Sequence, residues 1–161
     1  MNAMPSQRRL AKGEDMVKLA IIYGSGFGNT DIMAKAIEEG AKKAGIEVTI
    51  KKVEEASILD VEGVDAIAIG SPTYRGAAMP TIIKYVEKLA TLPLKGKVGT
   101  AFGSYGWSGE AAGVVSKMLK SYGMDLIDPD LRIKSIPEGE NLEVCKELGK
   151  LIAKKLKNEI E

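Results

Sequence analysis

Strand-length apolar runs and helix-spaced apolar stripes take turns along this chain, and that alternation leaves few folds open to it. Val17 to Tyr23, apolar but for Lys18, reads as a continuous strand. From Asn29 to Ala44 the residues Ile32, Met33, Ala36, Ile37 and Ala41 recur at helical spacing, and Gly45 stops the helix. Val48, Ile50 and Val53 alternate with polar residues, as an edge strand with one wet face does. Glu54 to Gly63 reads as a short helical turn and loop, and Ala66 to Ile69 as a fully buried strand. Pro80 opens the next helix, with Ile82, Ile83, Val86 and Leu89 as its inner stripe, and Pro93 ends it. Lys97 to Phe102 is the fourth strand, and Gly109 to Tyr122 a helix with Val114, Val115, Met118 and Leu119 inward. Leu126 to Ile133 is a strand broken by Asp128-Pro129, and Asn141 to Lys157 is the last helix.

Five βα units with right-handed crossovers predict an α/β fold with a doubly wound five-stranded parallel sheet, order 2-1-3-4-5. In that order the connectivity reverses between the first and third strands. A crevice then opens outside their carboxyl ends, flanked by the fourth strand.

Size and composition narrow the chemistry. At 161 residues and 45% hydrophobic content the chain is long enough for one domain with a proper core. Residues 1–15 are polar and aperiodic and predict a mobile tail, with residues 16–161 forming the domain. No apolar stretch approaches the length of a membrane span and no signal segment opens the sequence, so a cytoplasmic protein is expected. The single Cys145 falls in the pattern of the last helix and reads as a core residue. The absence of His removes Ser-His-Asp and Cys-His catalysis, imidazole metal ligands and the usual near-neutral proton shuttle. Basic and acidic residues number 23 and 22 and are mixed along the chain, which gives no electrostatic footprint for nucleic acid.

Aromatic residues are scarce, yet most fall in three glycine-rich stretches, each directly after an apolar strand. These are Tyr23-Gly-Ser-Gly-Phe-Gly-Asn-Thr30, Gly70-Ser-Pro-Thr-Tyr-Arg-Gly76 and Phe102-Gly-Ser-Tyr-Gly-Trp-Ser-Gly109. They follow the three strands that border the crevice, whereas the loop after the edge strand carries neither aromatics nor a glycine cluster. In the first, Ser25, Gly26, Phe27, Gly28, Asn29 and Thr30 lie between a strand and a helix start, where free N–H groups and the helix dipole favour a phosphate. The loop has no Lys or Arg, so hydrogen bonds and dipoles would do the holding. A glycine-rich turn with an Asn helix cap is the plainer reading of the same residues. The Walker A loop and the G-x-G-x-x-G fingerprint do not match, because Asn29 stands where the third glycine belongs. A receiver domain needs an Asp at the end of the third strand, where this chain has Gly70-Ser71. Rings beside glycines and hydroxyls at strand ends suit a flat ligand carrying a phosphate, a flavin before others.

The phrases Gly28-Asn29-Thr30, Gly70-Ser-Pro-Thr-Tyr74 and Phe102-Gly-Ser-Tyr-Gly-Trp-Ser-Gly-Glu110 resemble the flavodoxin family over Val17 to Lys157. They are more closely similar to the flavodoxin-like domain at the carboxyl-terminal end of flavodiiron proteins, the A-type flavoproteins. The resemblance implies one noncovalent FMN, with Ser25 to Thr30 on its phosphate. Ser71, Pro72, Thr73, Tyr74, Arg75 and Gly76, with Ser104, Tyr105, Gly106, Trp107, Ser108 and Gly109, would then flank the isoalloxazine. Trp107 and Tyr74 are the first stacking candidates and Tyr105 the third, while Tyr23 and Phe102 read as core. Gly76 is the position best able to turn a peptide toward the flavin N5. The expected function is an FMN-binding electron carrier between a reductase and an acceptor, with a separate di-iron oxygen or nitric oxide reductase as a candidate partner. The sequence has no His, so no di-iron chemistry, catalytic residue or metal ligand is assigned to this chain itself. A flavin-dependent NAD(P)H:acceptor (quinone) oxidoreductase is the alternative, and a non-redox interaction module the third reading.

Overall fold

The computed structural model describes residues 17–26 and 28–157, so the expected tail at 1–15 and Phe27 lie outside the described residues. Its strands are β1 (Lys18–Tyr23), β2 (Glu47–Lys52), β3 (Ala66–Gly70), β4 (Thr73–Tyr74), β5 (Ala77–Ala78), β6 (Val98–Tyr105), β7 (Asp125–Leu126) and β8 (Leu131–Lys134). The helices are α1 (Asn29–Lys43), α2 (Pro80–Leu89), α3 (Glu110–Ser121) and α4 (Glu140–Leu156), with 3₁₀ turns at Val53–Glu55 and Ile58–Asp60. The main sheet runs β2-β1-β3-β6-β7, all parallel, and β8 also pairs with β6. The doubly wound order expected from the sequence is therefore present, with two short strands in the fifth place. Leu126 to Ile133 is not one interrupted strand. β7 pairs with the start of β6 and β8 with its end, and the Asp128-Pro129 peptide between them is cis.

Strand alternation sorts the apolar residues into two layers. Leu19, Ile21 and Tyr23 join Ala66 and Ala68 on the side of α1 and α4. Ala20, Ile22, Ile67 and Ile69 face α2 and α3. A fully buried Ile contributes about 2 to 3 kcal/mol relative to an exposed one, so this two-sided burial commits β1 and β3 to the sheet centre. Alanines on β3 toward α1 and α4 leave room there for Phe102, which is fully buried. A β-carbon at Gly70 would come 2.4 Å from the Phe102 ring, so this end of β3 has no space for a larger residue.

The helices α1 and α4 cross closely. A β-carbon on Gly40 would lie 2.0 Å from the Lys146 carbonyl oxygen, and one on Gly149 would lie 2.1 Å from that of Ile37. Side chains at either position would force the backbones apart and expose Met33, Ile37 and Ile152. Cys145 is buried on α4, and burial pushes its thiol up to about 11, which leaves it an inert core group. Four residues assigned inward from periodicity turn outward or halfway: Ile32 and Val114 are exposed, and Ile83 and Met118 are half-buried. Tyr85, Ala111 and Ala112 take the inner places.

Candidate functional site

The carboxyl ends of β1, β3 and β6 lie side by side, with Tyr23 opposite Gly70 and Gly70 opposite Phe102. The three glycine-aromatic loops therefore leave the sheet together, at the point where the strand order reverses. They enclose a cleft of about 730 Å³. Ser25, Gly26 and Asn29 line it from the first loop, and Pro72, Thr73, Tyr74 and Arg75 from the second. Ser104, Tyr105, Gly106 and Trp107 line it from the third, and Ser135 and Ile136 from the loop after β8. A smaller hollow of about 400 Å³ adjoins it, bordered by Thr73, Arg75, Gly76, Trp107 and Ser108.

The first loop is ordered by its own hydroxyl. Ser25 Oγ accepts hydrogen bonds from the Gly28 N–H at 3.0 Å and the Asp31 N–H at 3.3 Å. Gly28 precedes the helix in the left-handed region at φ 87, and Asn29 is the first helical residue, not its cap. Asn29 and Thr30 thus carry first-turn amides that no intrahelical carbonyl reaches. The Thr30 side chain points away from solvent: it is fully buried, and its Oγ1 lies 2.8 Å from Ser104 Oγ on β6. That bond ties the first loop to the third.

Under the loop, the Tyr23 hydroxyl donates a short hydrogen bond to the Asp31 carboxylate. Burial, then the hydrogen bond and charge of Asp31, raise the Tyr23 phenol above its ordinary range. Burial alone would raise Asp31 as well, but the Tyr23 and Lys35 hydrogen bonds outweigh it and hold that carboxyl below the usual value. The loop's helix therefore starts on an ionised, paired carboxylate.

The second loop is a hairpin that the sequence reading did not anticipate. β4 and β5 pair antiparallel, with Thr73 opposite Ala78 and Tyr74 opposite Ala77. Arg75 and Gly76 make the two-residue turn, both with positive φ (50 and 75), as a type I′ turn requires. Ser71 closes the hairpin's base. It is fully buried, its Oγ accepts from the Met79 N–H at 3.0 Å and donates to the Pro72 carbonyl at 2.8 Å. Thr73 Oγ1 accepts from the Ala111 N–H at 2.9 Å and pins the hairpin to the start of α3. The tip of Tyr74 reaches across to the first loop: a β-carbon at Gly26 would lie 1.9 Å from its hydroxyl.

Of the third loop, Trp107 is 95% exposed, so its ring fills no core space, and Tyr105 is half-buried. Gly109 lies behind the cleft, against Tyr105 and Arg132. At the start of α3, a hydrogen bond from Ser108 and the residue's own N–H hold the Glu110 carboxyl below its usual value. Tyr23 and Phe102 are core residues, as expected. Gly28, Thr30, Ser71 and Gly109 are not among the residues that line the cleft, and Gly76 and Ser108 border the adjoining hollow. Sequence reasoning missed Ser135 and Ile136, whose segment, Ser135 to Gly139, has no ring and only a single glycine as a signal.

The arrangement can grip an anion at one end through backbone and hydroxyl donors, and hold a planar apolar group at the other. Among the described residues no helix is long and apolar enough to cross a membrane. Comparison with known proteins agrees with this geometry. The flavodoxin family model matches residues 21–149. A type A flavoprotein of Rhodobacter capsulatus is 38% identical over 92% of this chain and 35% of its own length. A nitric oxide reductase of Moorella thermoacetica is 35% identical over 92% of this chain and 38% of its own. The chain thus spans little more than a third of these curated relatives. By contrast, a flavodoxin structure from the domain Archaea superposes with a TM-score of 0.85 and 36% identity, over 88% of this chain and 99% of that one. The chain belongs to the flavodoxin family, whose members bind FMN and transfer electrons.

Proposed function

We propose that this chain is an electron carrier that holds FMN in the cleft between its three glycine-aromatic loops and passes electrons, one or two at a time, from a reductase to a redox acceptor. A separate di-iron oxygen or nitric oxide reductase is the acceptor class favoured by the relatives. The observation that carries the reading is the shared cleft, with a donor-rich end at Ser25, Gly26 and Asn29 and an aromatic end at Tyr74, Tyr105 and Trp107. Its size falls within the range of about 300 to 1,000 Å³ that suits small-molecule sites.

FMN fits the residues present. Its phosphate would meet the Asn29 and Thr30 amides at the positive end of α1, with Asn29 as a side-chain donor. No basic side chain is needed there, because dipoles and hydrogen bonds in a partly enclosed loop stabilise a dianion. Its ring system would lie between Tyr74 and the Tyr105–Trp107 segment, with Pro72 and Thr73 lining the same cleft. When bound, FMN supplies the one- and two-electron redox chemistry, and the protein supplies position and electrostatics. Arg75 and the Gly76 peptide, at the hairpin tip, are the groups on hand to tune it. The exposed Trp107 leaves this end open to a docking protein.

Anaerobic reductive titration of the FMN-loaded protein, followed by visible spectra, tests the reading. Stepwise bleaching of one bound flavin per chain supports it, with negligible steady-state oxidation of NADH or NADPH. Rapid turnover of either nicotinamide by the chain alone would instead mark a reductase. A colourless protein that takes up no FMN would mark an interaction module.

A further inference from the structure

Ser135 is one of two non-glycine residues among those described with a positive φ, at 64. The other, Arg75, serves a hairpin turn that demands such a φ. No hairpin explains Ser135, which joins a parallel strand to a helix. A serine held there is strained, and strain persists where surrounding contacts over-determine it. The contact is present: the Ser135 N–H donates to the Tyr105 carbonyl at 2.7 Å. It continues the parallel register of β8 with β6, in which Lys134 lies opposite Tyr105. The loop after β8 is thereby fastened to the residue where the third loop leaves the sheet. The next residue, Ile136, is 58% exposed, and it lines the same cleft as Tyr105 and Trp107.

We propose that Ser135 and Ile136 form a fourth wall of the flavin site: Ser135 positions the Tyr105 backbone, and Ile136 gives an apolar surface against which the bound ring system packs. This rests on the reading of the cleft as an FMN site. A large aliphatic side chain left half in water beside an aromatic rim has apolar area still to bury, and a tricyclic ring is the partner of matching chemistry. Ile136 follows the strained residue directly, so the left-handed turn at Ser135 sets the direction in which it projects. The Ser135–Tyr105 bond puts the wall beside the third loop, which carries Tyr105 and Trp107.

Two ligands separate this from other roles. FMN and riboflavin share the ring and differ by the phosphate. Ile136→Ala is expected to weaken both by the same factor, about five- to tenfold in Kd, measured by quenching of flavin fluorescence. The thermal midpoint of the ligand-free protein stays unchanged, because the side chain is largely exposed there. Ile136→Leu restores most of the affinity. Ser135→Val, whose branched side chain disfavours the positive φ, is expected to weaken both flavins by the same factor. Equal Kd values for wild type and Ile136→Ala would overturn the proposal, as would a loss confined to FMN, which would put the residue at the phosphate end. If the wild-type chain binds neither flavin, the reading of the cleft itself fails, an outcome distinct from unaltered binding in the variant.

Discussion

The two ends of the cleft are built on opposite physical plans. At the end formed by the first loop, the hydroxyls are already satisfied: Thr30 is fully buried against Ser104, and Ser25 holds two amides. At the other end the large side chains face water, with Trp107 95%, Ile136 58% and Tyr74 37% exposed. Donors held in place by the Ser25 hydroxyl lose little entropy on binding an anion, so that end can supply geometrically fixed binding. Exposed rings gain most when a ligand covers them, and they leave its edge near the surface. The contrast suits a cofactor anchored by its phosphate that exchanges electrons at its ring. It also means that damage to the buried hydroxyls and damage to the exposed rings should differ in kind: loss of fold stability in the first case, loss of ligand affinity alone in the second.

Trp107→Ala is expected to have the largest effect, weakening FMN by up to about 100-fold through lost stacking. The ligand-free protein should melt within about a degree of wild type, since surface truncations cost little. Fluorescence titration and thermal melts check both halves. Thr30→Val leaves Ser104 Oγ buried without its partner, at a cost of about 1 to 3 kcal/mol. It should lower the thermal midpoint by several degrees even without ligand, and a midpoint equal to wild type would erase the distinction between the ends. Gly26→Ala pushes the Tyr74 hydroxyl aside; it is the far end of a partly exposed side chain, so the fold survives and FMN affinity falls about tenfold. Gly76→Ala strains a turn residue at φ 75. It should lower the first one-electron midpoint potential, by about 59 mV for each 1.4 kcal/mol of strain that falls on the reduced state.

The smallest effect concerns pH. Asp31 has a folded pKa below its unfolded value of about 3.9, so its contribution is complete above that value and fades as pH falls through the folded one. Tyr23 has a raised pKa, so its contribution is complete below about pH 10 and fades as pH rises beyond. Tyr23→Phe should flatten both flanks of the stability profile, measured as melting midpoint against pH. Flanks as steep as in wild type would show that the pair carries no pH dependence.

Much of this was legible in the residues. The apolar runs at 17–23 and 66–69 carry one charge between them, Lys18, and each ends at a glycine, and buried strands of that kind read clearly. The three aromatic loops announced themselves by composition, and the sheet order then brought them together. The carboxyl-terminal end of the sheet read less well, because β7 and β8 have two and four residues, and half of these are charged. The β4–β5 hairpin was hidden by Arg75 at a turn position where Asn or Asp is the usual signal. Ser71 and Thr30 carry hydroxyls that periodicity cannot orient. They turn inward to meet Met79 and Ser104, contacts that exist only once the loops are assembled. Ser135 and Ile136 owe their place to the register of β8 with β6, a long-range fact that local composition does not encode.

Trp107 is the only tryptophan in the chain, so its emission reports on the cleft without interference. Titration of the ligand-free protein with FMN should quench that emission in step with flavin fluorescence, to an end point of one FMN per chain. Tryptophan emission that stays constant while FMN remains bright, or while it binds elsewhere, would contradict the site described here.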